Sequence, residues 1–571
     1  MEENNSFKPY VSADKVLPEF TVSSILIGII LAIVFGAANA YLGLRVGMTV
    51  SASIPAAVIG MGVYKLIGGF SSKKEETILE SNMVQTIGSA GESLAAGAIF
   101  TMPVLFLWAA EKKAQMPSIV EIALIAMIGG LLGICFMVPL RKALIVKEHG
   151  TLPYPEGTAC AEVLLAGQEG GANAAIVFIG MGISALAKFI VDGLKVVSNV
   201  VTIPIQKIHT EVSAEVYPAL ISVGYICGFK IASYMFAGAI LGWLVMIPAI
   251  YLFGANTILY PATVTIAEVW KSGGASGIWS NYIRYIGAGA VAAGGIISLV
   301  KSLPLICRTF VDALRGMMNK EAIGKEERTN RDMNMGLVLG MLAVLIILIA
   351  VLPVIPIGVL GAIIIVIFGF FFAAVSSRMV GLVGSSNNPV SGMAIATLLI
   401  TSLILKATGN SGASGMVAAI AIGSVICIVA AMAGDMSQDL KTGYILGATP
   451  VKQQYGELIG AVVSAITIGF VLYLLNSAWG FGTPALAAPQ ATLMKMIVEG
   501  VMGGNLPWTL VFIGVFIAIM VELLSIPVLP FAIGLYLPIE LSACIMVGGI
   551  LRLVLEKVYE GKANKDFAVQ E

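Results

Sequence analysis

Apolar stretches long enough, or nearly long enough, to cross a bilayer recur from one end of this 571-residue chain to the other. A backbone placed in lipid must satisfy its own amide and carbonyl groups, so repeated runs of this kind fold as helices packed on helices. Charged residues are only 12% of the chain and its mean hydropathy is +0.95, whereas soluble domains carry about 25% charge. Most of the surface therefore faces lipid. Fourteen runs lie between residues 22 and 559, and three shorter Gly- and Pro-punctuated pieces, 154–167, 217–228 and 529–538, are open between re-entrant hairpins and tilted spans. The expectation is an all-α, polytopic membrane bundle of about 14–17 spans with re-entrant or broken segments.

Several classes fall away at once. The formal net charge is zero, which offers no basic face to nucleic acid. His149 and His209 are the two histidines, too few for a histidine metal cluster, and no metal or cofactor is expected. The six cysteines are scattered without a CxxC pair, the pattern of buried thiols. No GxxxxGK[ST], HExxH or GxSxG motif is present, so neither ATP hydrolysis nor an intramembrane hydrolase is indicated.

Charge marks the joints. Basic residues gather at 73–74, 141–147, Lys195, Lys207, 308–331 and 557–565, which the positive-inside rule places in the cytoplasm. The loop 256–280 carries only Glu268 and Lys271 and is expected outside. The first run lacks a basic leader and is too long for a cleavable one, so it is read as the first membrane helix. The chain then divides into a cytoplasmic tail 1–20, a first transmembrane half 21–301, a cytoplasmic connection 302–333, a second half 334–560 and a tail 561–571.

The two halves look related. RVGMTVSASIP at 45–55 resembles RMVGLVGSSNNP at 378–389, NMVQ at 82–85 resembles DMSQ at 435–438, and the segment from Leu152 resembles that from Leu529, in the same order. Duplicated halves with broken segments at matching positions are the pattern of secondary transporters, whose site lies at the repeat interface. Parallel and inverted arrangements both remain open.

Four segments carry polar groups into this apolar chain. Asn82, Gln85, Ser89 and Glu92 are spaced so that one helix gathers them into a stripe; an amphipathic cytoplasmic helix is the bland alternative. Asp435, Gln438, Asp439 and Thr442 fall on one helical face with Lys441 beside them, a set that satisfies a solute with amino and carboxylate ends; the alternative is a solvated, charge-paired loop. Asn387, Asn388 and Pro389 break the membrane sequence and free backbone groups. Glu156, Glu162, Glu522 and Glu540 sit within or beside apolar runs, where a carboxylate is a candidate proton carrier or the partner of Arg45 or Arg378.

Taken together, NMVQTIGSAGE, SSNNPVSGM, GDMSQDLKTGYILGATPVKQQ and LPFAIGLYLPIELSACIMVGG resemble the prokaryotic branch of the oligopeptide transporter (OPT) family, which also contains the yellow-stripe-like metal-chelate transporters. The resemblance runs from about residue 20 to 552. It implies proton-coupled uptake of small peptides, or of metal complexes of peptide-like chelators, through about 16 helices that arose by duplication. Carried onto this chain, it has Asn82, Gln85, Glu92, Asn387, Asn388, Asp435, Gln438 and Lys441 line the pathway.

The resulting expectation is a proton-driven secondary transporter of oligopeptides working by alternating access in a bacterial or archaeal cell membrane. Asn82, Gln85, Ser89, Asn387, Asn388, Asp435 and Gln438 would hold the solute, Lys441 its carboxylate, and one of Glu92, Glu156, Glu522 or Glu540 the proton. Chelate transport is the alternative, and a membrane enzyme or passive channel a more distant one. Small-residue faces at 129–133 and 238–242 permit close packing, either with a second copy or within one chain.

Overall fold

A computed structural model of the chain describes residues 7–560 apart from 47–48, 50, 69–76, 170–178, 181, 188, 195–197, 199, 216–217, 292, 295–296, 298–300, 302–326, 353–356, 387, 389, 484–485, 487 and 504–506. It is 79% helical, as backbone self-sufficiency in lipid requires. Among the described residues nine helices are long and apolar enough to cross a membrane, fewer than the apolar runs suggest. Two of those runs fold as 16-residue helices, Ser53–Gly68 and Trp508–Leu523, and the runs 174–192 and 281–301 lie partly outside the described residues.

The chain forms two compact units, and each takes a segment from either half of the sequence. Unit 1 comprises residues 1–175 and 299–505, and unit 2 comprises 176–298 and 506–571.

Unit 1 begins with α1 (Val22–Val46), α2 (Ser53–Gly68), α3 (Ile78–Ile99), α4 (Pro103–Ala110), α5 (Ile119–Arg141) and α6 (Pro155–Glu169). Its second segment adds α7 (Met335–Val351), α8 (Gly358–Val383), α9 (Val390–Ala407), α10 (Ala413–Leu446), α11 (Pro450–Trp479) and α12 (Pro489–Gly503). Local sequence sets the ends. Ser118 caps α5 by accepting from Glu121 N, and left-handed Gly447 closes α10, after which Pro450 opens α11.

The two segments repeat one architecture. α1 packs on α3 as α8 packs on α10, α2 meets α6 as α9 meets α12, and α3 packs on α11 as α10 packs on α5. Matching backbone details fix the correspondence. Tyr154, directly before Pro155, has φ 47°, and Ala488, directly before Pro489, has φ 43°, a conformation rare for residues with a side chain. Tyr154 N donates to Gly381 O of α8 at 2.9 Å, and Ala488 N donates to Leu44 O of α1 at 2.8 Å.

The repeats are inverted. Gln85 of α3 bonds Asp439 of α10, whereas Ser89, one turn later, bonds Asp435, one turn earlier, so the equivalent helices α3 and α10 run antiparallel. Two of the three expected sequence matches then change register. Counting from the helix starts, Asn82 corresponds to a position near Val417 rather than to Asp435, and the segment from Leu152 corresponds to that from Leu486 rather than from Leu529. NMVQ and DMSQ are alike because they face each other across the same seam.

The N-terminal segment is not a free tail. Tyr10 N and Val11 N donate to Ile445 O and Leu446 O at the end of α10, and buried Glu19 accepts from Thr449 and pairs with Arg328 and Lys452. Arg328 belongs to the expected connection, of which 302–326 lies outside the described residues, as does the tail 561–571.

Unit 2 contains an antiparallel hairpin, β1 (Val200–Ile205) with β2 (Thr210–Glu215), and the helix Pro218–Ile240, interrupted at Gly228 (φ 81°) and packed on the helix Ile539–Glu560. His209 at the hairpin tip stacks on Tyr251 and meets Trp270, and Glu211 bonds Ser276. Lys207 and the loop 256–280 therefore share one face, so they cannot lie on opposite sides of a membrane as their charges suggest.

Small residues set the helix spacing within the chain. Gly129 and Gly133 of α5 face Ile428 and Met432 of α10, and Gly238 lies on the backbone of Phe531, so both small-residue faces pack internally. Gly97 of α3 is the tightest constraint on the crossing with α10, because a Cβ there would sit 2.5 Å from Ile428 Cα. Gly97→Val should destabilise the detergent-solubilised protein by about 1–3 kcal/mol through overpacking. Gly62→Ala, which meets nothing within 4 Å, should leave the thermal midpoint unchanged or raise it.

Candidate functional site

Where α3 and α10 cross, unit 1 buries a seam of polar side chains. Asn82, Gln85, Ser89 and Glu92 on α3, and Asp435, Gln438, Asp439, Lys441 and Thr442 on α10, are each at most 4% exposed. All of α3 is buried, so it is not a cytoplasmic amphipathic helix, and the polar end of α10 is not a solvated loop. Helical spacing divides α10 between two neighbours: Asp435 and Asp439 turn to α3, while Gln438 and Thr442 turn to α6.

The seam is one connected network. Asn82 Nδ2 donates to Gln85 Oε1 at 3.0 Å, and Gln85 Nε2 donates to Asp439 Oδ1. Ser53 Oγ, at the start of α2, joins Asp439 Oδ1 at 3.2 Å to Ser89 Oγ at 2.8 Å. Ser89 Oγ donates to Asp435 Oδ2 at 2.5 Å, and Ser385 Oγ donates to Asp435 Oδ1 at 2.8 Å.

Two connections between successive helices meet this network, and each is held by a buried carboxylate. Ala52 N, between α1 and α2, donates to Glu92 Oε2 at 3.2 Å, and Asn39 Nδ2 of α1 donates to Oε1 at 2.6 Å. Between α8 and α9, Ser385 N and Ser386 N donate to Glu156 Oε2 and Oε1 at 2.9 and 3.0 Å. Ser51 N donates to Ser386 Oγ at 3.2 Å, which joins the two breaks. Free backbone donors at a helix break form a ready anion site, and here side-chain carboxylates fill it.

The first turn of α6 clamps α10. Gly157 N donates to Gln438 Oε1 at 2.7 Å, and Thr442 Oγ1 donates to Gly157 O at 2.9 Å; a Cβ at Gly157 would collide with the Gln438 carbonyl. Gln438 Nε2 donates to Val380 O at 3.0 Å. Lys441 Nζ meets His149 Nδ1 at 2.8 Å, His149 O at 3.3 Å and Leu152 O at 3.1 Å. These contacts use its three donors, and they require an unprotonated Nδ1. Burial and then the Lys441 charge hold the His149 imidazole below its usual pKa.

The remaining sequence candidates are placed as follows. Asn388 donates to Ser376 Oγ at 2.7 Å, and its Oδ1 has no partner among the described residues. Asn387 and Pro389 lie outside the described residues, as does the Arg45 side chain. Arg378 pairs with Glu148 rather than with a candidate carboxylate. Glu162 is exposed on α6. Glu522 and Glu540 belong to unit 2, where Glu540 accepts from Ser213 of β2 at 3.2 Å, so the carboxylate cluster is assembled within unit 1 alone.

One member of that cluster escaped the sequence reading. Glu457, early in α11, is 0% exposed. Its signal was available: like Glu92, it is a carboxylate at the mouth of a long apolar helix. Among the described residues no group of three metal-ligating side chains could hold an ion.

The Glu156 contacts generate a test. Glu156→Ala leaves the Ser385 and Ser386 amides without acceptors and should lower stability by about 1–3 kcal/mol relative to Glu156→Gln, which keeps an acceptor oxygen. Thermal unfolding of the two variants in detergent measures the difference.

The family described as "OPT oligopeptide transporter protein" matches residues 19–569 of this chain. A Haemophilus influenzae protein whose name calls it an oligopeptide transporter is 32% identical, over 93% of this chain and 88% of its own. An Arabidopsis thaliana protein named as a metal-nicotianamine transporter is 22% identical over 95% and 88%. A Saccharomyces cerevisiae protein named as an oligopeptide transporter is 23% identical over 86% and 82%. With a family match spanning nearly its whole length and a bundle of membrane-crossing helices, this chain belongs to the OPT family of multi-pass membrane transporters.

Proposed function

We propose that this chain is a proton-driven symporter of small oligopeptides in a prokaryotic cell membrane, working by alternating access around the α3–α10 seam. One observation carries the reading. Helices from two inverted repeats cross at a buried seam of amides, hydroxyls and carboxylates, beside the α1–α2 and α8–α9 connections. Inverted repeats give two pseudo-two-fold-related ways to close around one central site.

Asn82, Gln85, Ser89, Asn387, Asn388, Asp435 and Gln438 are proposed to hold the solute. Amides serve its peptide groups, and Asp435 serves its amino terminus. Lys441 pairs with the solute carboxylate only by leaving His149 and the two carbonyls that hold it here. Coupling falls to a seam carboxyl, because Glu92 and Glu156 belong to unit 1 while Glu522 and Glu540 do not.

The plant relative named for metal-nicotianamine transport supports a second reading, carriage of a metal chelate. No cluster of three metal ligands occurs among the described residues, so the metal would travel inside its chelator. Competition between free peptides and a nicotianamine complex separates the two.

The deciding measurement is uptake of a mixed pool of two- to six-residue peptides into proteoliposomes, read by mass spectrometry. A one-unit inward proton gradient should enrich transported peptides about tenfold per coupled proton. Gln85→Leu should weaken peptide uptake by about tenfold through the lost amide. Equal uptake with and without the gradient would refute proton coupling.

A further inference from the structure

Five carboxyl groups are buried around the seam: Glu92, Glu156, Asp435, Asp439 and Glu457. Donors hold four of them. Glu92 accepts from Asn39 and Ala52, Glu156 from Ser385 and Ser386, Asp435 from Ser89 and Ser385, and Asp439 Oδ1 from Gln85 and Ser53. Glu457 differs. Neither of its oxygens meets a donor among the described residues, nor does Asp439 Oδ2.

Glu457 stands beside Asp439: it lies one helical turn after Gln453, whose Nε2 donates to Asp439 O at 2.9 Å and to Thr86 Oγ1 at 3.2 Å, and its orphaned oxygens and the orphaned Asp439 Oδ2 share this buried corner. Two carboxylates have no hydrogen to share, so an acid–acid contact closes only when one of them carries a proton. The other titratable groups around this pair are Asp435 on α10, Glu92 on α3 and Cys160 on α6, with Glu156 beyond them beside Asp435. The nearby cations are engaged elsewhere: Lys441 with His149 and two carbonyls, Lys452 with Glu19. A metal ion lacks the three ligands it needs among the described residues. A proton needs only the two oxygens.

We propose that Asp439 and Glu457 share one proton, and that this pair is the proton-binding site of the transport cycle. Resting on the symport reading above, it assigns the coupling role to a pair rather than to Glu92 or Glu156, whose oxygens hold the helix breaks. Gln85 links the pair to the solute. Its amide donates to Asp439 Oδ1, so a solute carbonyl that takes this amide leaves Asp439 more dependent on the shared proton. Solute and proton thereby bind together, and loss of the proton to the other side returns Gln85 to Asp439.

Two measurements test the pair. In the purified full-length chain at neutral pH, infrared spectroscopy should show the carbonyl stretch of a protonated carboxyl that is lost in both Glu457→Gln and Asp439→Asn. In proteoliposomes with the peptide pool, the ratio of uptake with and without a one-unit proton gradient should fall from about ten to about one in Glu457→Gln. The glutamine amide still donates to Asp439, so this variant keeps the contact and carries the test if Asp439→Asn does not fold. An unchanged carboxyl band in Glu457→Gln, or a retained gradient response, overturns the pair. Absence of a gradient response in the wild type refutes the symport reading instead, and the infrared comparison then decides the shared proton by itself.

Discussion

A helix that stops inside an apolar bundle leaves amide groups that water cannot reach, and the architecture of unit 1 follows from how those groups are satisfied. Ala52 at one break and Ser385 and Ser386 at the other donate to Glu92 and Glu156. A buried carboxylate without such donors would be prohibitively unfavourable, and buried amides without an acceptor nearly as much so. Each defect compensates the other. The carboxylates come from neighbouring helices, α3 and α6, so satisfying a break also fixes where those helices stand.

The inverted repeat places this chemistry near the crossing of α3 and α10 but does not make it symmetric. Equivalent backbone features recur in both repeats, including the left-handed residue before Pro155 and before Pro489. The side chains differ. Glu156 of α6 corresponds to Gln490 of α12, and the polar stretch of α3 corresponds to an apolar stretch of α10. The two repeats share a scaffold, and the polar seam occupies one side of it.

Much of this was legible in the sequence. The α3 stripe and the α10 face were visible because helical spacing alone gathers Asn82, Gln85, Ser89 and Glu92, and Asp435 with Asp439. That they pair with each other was not visible, because antiparallel crossing is a tertiary fact. Similarity between NMVQ and DMSQ misled the repeat register, since residues lining one seam share polarity without sharing descent. Glu457 was lost inside an apolar run whose length dominated its reading. Lys441 drew attention as a charge, whereas packing turns it to the carbonyls before α6. Lys207 and the loop 256–280 cannot both keep the sides their charges suggest, because the hairpin tip packs on its aromatic neighbours through His209, Tyr251 and Trp270.

Unit 1 is assembled from two segments, 1–175 and 299–505, separated by part of unit 2, and this sets an order of events during synthesis. Gln85 and its partner Asp439 are 354 residues apart, so α3 is translated and inserted long before α10 exists. Until then Gln85 and Ser89 lack the α10 carboxylates they bond, whereas Glu92 already has Asn39 and Ala52 from the preceding segment. The N-terminal strap waits equally long, because Tyr10 and Val11 dock on Ile445 and Leu446. Completion of the seam is thus a late, post-insertion step. Interruption of translation before α10 leaves a product whose most polar helix is stranded in lipid, a substrate for membrane quality control rather than a partial transporter.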